Sequence, residues 1–184
     1  MDAATLKALK EQLLSDIGPK QIMEMAPMSQ FTTLRLGGPA EVLVDVHSAA
    51  DVRAAIKAAR DHGVPLTVLG NGSNVLVRDG GIPGLVLRLC DGFSQVSSPV
   101  PLGDGRYAIT AQGGATLTKL ANAAADNGLA GLEFAGGIPG TVGGAVYMNA
   151  GAYGGEMKDV VTQVTAFDRE GNGVSFTGEE MQFG

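Results

Sequence analysis

Two glycine-rich segments carry most of the chemical information in this sequence. The first, Gly70-Asn71-Gly72-Ser73-Asn74, would present successive main-chain N–H groups with no Cβ in front of two of them, and its Ser and Asn side chains add further donors. That is an anion cradle, suited to phosphate; the plain alternative is a tight β-turn that holds nothing. No Gly-x-Gly-x-x-Gly opens a helix here, no Gly-x-x-x-x-Gly-Lys-Ser/Thr is present, and the residues that follow, Val75-Leu76-Val77, are strand-like. A Rossmann or P-loop reading is therefore poor.

The second segment runs from Gly136 to Ala145 and continues through Asn149-Ala150-Gly151-Ala152-Tyr153-Gly154-Gly155, without a single charge. Solvated loops usually favour polar side chains, so this stretch is expected to pack against a flat apolar ligand. The competing reading is a glycine corner or small-residue packing seam. The whole chain holds 28 glycines in 184 residues, about twice the average share, and they are set among Val, Ile, Leu and Ala rather than in Ser-rich tracts. Close approach of backbone to a ligand accounts for this better than flexible linkers do.

Other chemistries have little to work with. Cys90 is the single cysteine and His47 and His62 are the two histidines, which excludes an internal disulfide and leaves no cluster of metal-ligand spacing. This fits a reducing cytoplasm and no structural zinc. Lys and Arg number 13 against 19 Asp and Glu, a net charge of −6, and no basic patch gathers anywhere, so a nucleic-acid partner is disfavoured. Lys7, Lys10 and Glu11 interrupt the apolar residues before Ile17, which argues against a signal peptide or membrane span. Glu133 and Glu156 flank the second segment with no visible partner to raise their pKa, and read as solvated or capping carboxylates.

The elements that must hold the two segments can be read from periodicity and caps. Leu6, Leu9, Leu13 and Leu14 predict a short N-terminal helix. Ser48-Ala49-Ala50-Asp51 is a capping box for a helix through Arg60, bracketed by strands over 41–46 and 65–69, which predicts a parallel β-α-β unit. The first glycine turn then joins strand to strand, and Leu85 to Leu89 completes the first lobe. A second lobe begins with a strand from Tyr107 to Ala111 and a Gly113-Gly114 turn, followed by a helix from Thr116 to about Asn127. Residues 160–167 and 173–177 form a hairpin, and Thr177-Gly178-Glu179-Glu180 reads as the capping box of a new helix that the chain starts and does not finish.

Taken together, Phe31-Thr32-Thr33-Leu34-Arg35-Leu36-Gly37-Gly38-Pro39-Ala40, the Gly70 to Asn74 turn, and Gly137-Ile138-Pro139-Gly140 through Asn149-Ala150-Gly151-Ala152-Tyr153-Gly154 resemble the UDP-N-acetylenolpyruvoylglucosamine reductases, from about Ser29 to Gly184. The resemblance implies an α+β fold of two lobes, of the vanillyl-alcohol oxidase and p-cresol methylhydroxylase type rather than Rossmann. The lobes would comprise residues 1–91 and 92–184, with FAD between them. It further implies that Gly70, Asn71, Gly72, Ser73 and Asn74 hold the FAD pyrophosphate, and that Gly137, Ile138, Pro139, Gly140, Thr141, Gly143 and Gly144 line the cofactor. Asn149, Gly151 and Tyr153 belong to the same family motif. Thr33 and Arg35 match the leading motif, Arg35 either as a cofactor contact or as a bridge between lobes. Because His47, His62 and Cys90 lie outside the glycine motifs, noncovalent FAD is expected.

The activity that the resemblance implies is NADPH-dependent reduction of UDP-N-acetylglucosamine enolpyruvate, a small sugar nucleotide, to UDP-N-acetylmuramate for peptidoglycan. NADPH would reduce the flavin, and the flavin would pass the hydride to the substrate's vinyl carbon. The family's catalytic Arg, Ser and Glu belong to motifs that follow a Phe-Gly such as Phe183-Gly184, so no catalytic residue is assigned within the chain, the substrate-binding domain is expected to be missing, and the chain alone is expected to be inactive. Alternatives are another flavin oxidoreductase of the same superfamily, or a non-catalytic FAD-binding module.

Overall fold

The structure is a computed structural model that describes residues 1–89 and 91–183; Cys90 lies outside the described residues. Its first half opens on two helices with side-chain caps, of which Ser48 was legible in the sequence. Asp2 accepts from the N–H groups of Ala4 and Thr5 and opens helix α1, Ala3–Asp16. Ser48 accepts from Asp51 N–H and opens α2, Ala49–Asp61. Four strands, β1 (Ile22–Pro27), β2 (Pro39–Val46), β3 (Leu66–Leu69) and β4 (Ile82–Leu89), make one sheet in the order β1-β2-β4-β3. β1 runs antiparallel to β2, and β4 lies parallel to both β2 and β3.

The period-2 alternation of the strands sorts their side chains onto two faces. Val42, Val44 and Val46 of β2, with Leu85 and Leu87 of β4, pack beneath α1 and α2 against Leu9, Leu13, Ala55 and Ile56. The opposite face carries Leu43, Leu69 and Val86, covered not by an α-helix but by Met28 of a short 3-10 turn, Met28–Gln30, and by Phe31 and Val77. A register shift between Ala40 and Val42 brings Ala40 onto that second face as well. One side of the sheet is thus armoured by helices, while the other lies under the chain segments that precede and follow the first glycine turn.

The second half opens with hairpin β5 (Val100–Gly103) and β6 (Arg106–Ala108). Helix α3, Leu117–Asp126, is capped by Thr116, and a short helix α4 spans Val142–Tyr147. A two-residue hairpin pairs β7 (Gly151–Ala152) with β8 (Gly155–Glu156), and β9 (Gln163–Phe167) pairs antiparallel with β10 (Gly173–Thr177). Leu117, Phe134, Ala135, Ala145 and Met157 form a separate core cluster for this half. The last hairpin leans back on the first half: Phe167 packs against the helix-covered cluster, Arg53 of α2 lies 5.6 Å over its ring, and Arg60 donates to the Glu170 carbonyl at 3.1 Å.

Three expectations need correction. The strands before and after α2 run parallel but do not pair, because β4 is inserted between them. Val75-Leu76-Val77 forms no strand; Val77 alone is buried, and Leu76 is 70% exposed, so the run lacks a sheet partner to pair with. The capping box at Thr177 does close, with Glu180 N–H donating to the Thr177 hydroxyl at 3.2 Å and Thr177 N–H to the Glu180 carboxylate at 2.8 Å, but it caps an isolated turn rather than a helix.

Candidate functional site

The first glycine turn sits at the C-terminal end of β3, where the parallel strands of the sheet stop, and residues 31–36 are laid across it. Thr33 N–H donates to the Gly72 carbonyl at 3.1 Å, Arg35 N–H to the Thr32 carbonyl at 3.1 Å, and the Thr32 hydroxyl to the Leu36 carbonyl at 3.1 Å. Gly72 has φ +63, and a methyl placed there would lie 2.1 Å from the Phe31 carbonyl oxygen, so both its conformation and its surroundings demand glycine. Among the described residues, the main-chain N–H groups of 71–74 meet no protein acceptor, and Asn71 and Asn74 are exposed. An unspent row of donors on a fixed turn is what an anion requires.

The second glycine segment reaches this turn. Thr141, 3% exposed, caps α4 by accepting from Gly144 N–H at 3.4 Å. A methyl on Gly70 would fall 2.2 Å from the same Thr141 oxygen, and one on Gly140 would stand 3.7 Å from the Ser73 hydroxyl. Gly70, Ser73, Gly140 and Thr141 therefore meet at one seam between the two halves of the chain.

Other residues of the second segment are placed differently. Gly143 N–H donates to the Gly113 carbonyl at 2.8 Å, Val142 N–H to the Ala115 carbonyl at 2.7 Å, and Gly140 N–H to the Ile138 carbonyl at 2.9 Å. The amides of Gly140, Gly143 and Gly144 are thus used within the fold, and this part of the motif is a packing seam as well as a surface; the helix α4 inside it was not anticipated. Gly137 stands exposed with open space around its Cα, Pro139 is exposed, and Ile138 packs on the second core cluster. Thr33 and Arg35 are exposed beside the first turn, Arg35 with φ +54.

Asn149, Gly151 and Tyr153 build the β7–β8 hairpin rather than the seam. Asn149 donates to the Glu156 carboxylate at 2.5 Å and accepts from Lys158 N–H at 3.0 Å, and Gly151 pairs with Glu156. Tyr153 projects from the hairpin tip, 97% exposed, on the edge of an open depression of about 440 Å³ lined by Gly131, Glu133 and Phe134. The two flanking glutamates act locally. Glu133 accepts from Gly131 N–H at 2.8 Å, and Glu156 exchanges caps with Asp159 and holds the Lys158 ammonium, whose pKa is raised by that hydrogen bond.

Two contributors were not named as site residues at the level of sequence. The Phe31 carbonyl forms the floor beneath Gly72, and Gly113 receives α4; Phe31 heads the leading motif and Gly113 belongs to a glycine doublet, and neither signal tells which partner the residue meets. What the site offers chemically is binding: donors, bare backbone and one buried hydroxyl. Among the described residues, no group of three His, Cys, Asp or Glu could hold a metal ion, and no helix is long and apolar enough to cross a membrane.

The sequence profile of the FAD binding domain matches residues 40–177. The UDP-N-acetylenolpyruvoylglucosamine reductase of Clostridioides difficile (strain 630) is 43% identical over 172 residues, 94% of this chain and 55% of that protein. That of Anoxybacillus flavithermus (strain DSM 21510 / WK1) is 41% identical over 97% of this chain and 57% of its own length. The chain therefore spans about half the length of the curated relatives it matches. Among solved structures, UDP-N-acetylenolpyruvylglucosamine reductase from Thermus caldophilus superposes with a TM-score of 0.71 at 38% identity, over 88% of this chain and 54% of that one. The 4-ethylphenol oxidase from Gulosibacter chungangensis reaches the same TM-score of 0.71 at 15% identity, over 95% of this chain and 35% of that one, a likeness of fold alone.

Proposed function

We propose that this chain, which belongs to the FAD binding domain family, is the flavin-holding part of a UDP-N-acetylenolpyruvoylglucosamine reductase acting in peptidoglycan synthesis in the cytoplasm. The observation that carries this reading is the meeting of Gly70 and Ser73 with Gly140 and Thr141, which puts two glycine segments from opposite halves of the chain, 1–91 and 92–184, on one seam.

The residues fit a dinucleotide. The unspent N–H groups of 71–74 and the hydroxyl of Ser73 would hold the pyrophosphate, with Gly72 keeping the turn close to the chain that crosses it and Gly70 keeping it close to Thr141. Gly137, Ile138, Pro139, Gly140 and Thr141 would line the cofactor from the other side. Gly143 and Gly144, whose amides are already bonded, would contribute shape by drawing α4 against Gly113. Thr33 and Arg35 would border the pyrophosphate, and Asn149, Gly151 and Tyr153 an outer rim. FAD, bound without a covalent tether, would supply hydride transfer from NADPH to the enolpyruvyl sugar nucleotide. The chain's own task is to bind and orient it. No carboxylate or histidine at the seam is set up to move a proton, so the acid and the carboxylate clamp that the reaction needs would come from the part of the relatives beyond this chain.

The test is direct. Purified with excess FAD and then freed of the unbound cofactor, the chain is expected to stay yellow with a near-visible flavin band, and to show no NADPH oxidation dependent on the enolpyruvyl substrate. A colourless protein overturns the flavin assignment, and steady turnover by this chain overturns the assignment of the catalytic groups elsewhere.

A further inference from the structure

On the face of the sheet that lies under residues 28–36, β2 and β4 carry an opposed charge pair. Asp45 of β2 and Arg88 of β4 are register partners. The pairing is bidentate: Arg88 Nε donates to one carboxylate oxygen of Asp45 and Nη2 to the other, the latter at 2.9 Å. Both side chains are about three-quarters covered, at 25% and 27% exposure. The guanidinium that Asp45 fixes lies over the ring of Phe31, 4.7 Å from its centroid. Phe31 is also the residue whose carbonyl closes on Gly72, and its neighbour-but-one Thr33 bonds the Gly72 carbonyl. A continuous line of contacts thus runs from the ion pair through one aromatic ring to the first glycine turn.

We propose that Arg88, held by Asp45, is a positioning residue that sets the geometry of the 70–74 turn through Phe31, and so tunes cofactor affinity. The inference rests on the reading of that turn as the pyrophosphate cradle. A planar guanidinium locked along one edge by both oxygens of a carboxylate presents a flat, oriented face to the ring; a lysine in the same place keeps the charge but neither the fork nor the stack. Phe31 would then hold its main chain against Gly72 in one position. With a mobile ring, the N–H groups of 71–74 would sample orientations that no longer converge on an anion.

The experiment measures FAD dissociation constants by flavin fluorescence, the phosphorus-31 resonances of bound FAD, and the melting midpoint without FAD, for Arg88→Lys, Phe31→Leu, the double variant and Gly72→Ala. Arg88→Lys and Phe31→Leu are each expected to weaken FAD about 5- to 10-fold and to shift the pyrophosphate resonances. The double variant should weaken it no further than either single one, since both act along the same line. Phe31→Leu leaves the ion pair in place and serves where Arg88→Lys lowers the midpoint. Unchanged FAD affinity and resonances in Phe31→Leu and Arg88→Lys, while Gly72→Ala loses both, would overturn this proposal alone. If Gly72→Ala also binds FAD normally, the cradle reading falls and the proposal falls with it.

Discussion

Replacing Gly70 with alanine tests the contact on which the site depends. The added methyl would sit 2.2 Å from Thr141 Oγ1 and 3.3 Å from both the Cβ and Cγ2 of Thr141. Its backbone angle is one that alanine adopts freely, so the cost isolates the clash. Thr141 cannot easily yield: it is buried, β-branched, and its oxygen accepts from Gly144 N–H. Overpacking of this kind costs about 1–3 kcal/mol. In a chain of this length a loss of about 2 kcal/mol lowers the melting midpoint by about 4–8 °C. Thr141→Ala removes the obstructing oxygen at a cost of about 1 kcal/mol for the lost cap of α4. Thr141→Val loses the cap but keeps a branched side chain in the way. Denaturant melts of the cycle should therefore give Gly70→Ala/Thr141→Ala a cost smaller than the sum of its singles by at least about 1 kcal/mol, and Gly70→Ala/Thr141→Val a cost at or above the sum. Additivity within about 0.5 kcal/mol in the Thr141→Ala arm would mean that the two segments do not touch, and would refute the reasoning.

Gly72→Ala combines left-handed strain with a collision against the Phe31 carbonyl, and is expected to cost about 2 kcal/mol or more by chemical denaturation. Ser48→Ala removes the cap of α2 and should lower stability by about 1 kcal/mol, read from the same melts. Burial pushes the Asp51 carboxyl up, but hydrogen bonds from the Ser48 hydroxyl, the His47 N–H and the Gln21 amide outweigh it and hold its pKa below the ordinary value. Its contribution is therefore complete above the unfolded value of about 4 and is lost as pH falls through the lower folded value. The stability gap between the protein and Asp51→Asn should accordingly narrow on going from pH 6 to pH 3, and a constant gap would contradict this. Tyr153→Ala, at an exposed hairpin tip, should change stability by less than about 0.5 kcal/mol yet weaken FAD binding; unaltered affinity removes Tyr153 from the site.

What could be read in advance was local. Ser48 caps the helix it was expected to cap, the helix expected from Thr116 to about Asn127 forms over Leu117–Asp126, and the runs expected over 160–167 and 173–177 pair as a hairpin over 163–167 and 173–177. What escaped was set by partners distant in the chain. Insertion of β4 between β2 and β3 is a matter of topology, and no residue within 41–69 reports it. Helix α4 contains two glycines in six residues, each costing about 1 kcal/mol against alanine, and forms because Thr141 caps it and Gly113 and Ala115 receive its first turn. β1 went unread since Met23, Met25 and Pro27 spoil the alternation of an edge strand whose pairing with β2 is decided by backbone. At the site, the glycines were legible because bare backbone is conspicuous in a sequence. Arg88 and Asp45 were not, because what joins them is the register of two strands more than thirty-five residues apart in the chain.

Hydrogen–deuterium exchange of the chain with and without saturating FAD measures most directly whether both segments serve one cofactor. Slowed exchange is expected together in the peptides covering 70–74 and 137–141, with the hairpin 163–177 unaffected. Protection confined to one of the two segments, or absent from both while FAD is demonstrably bound, would contradict the account.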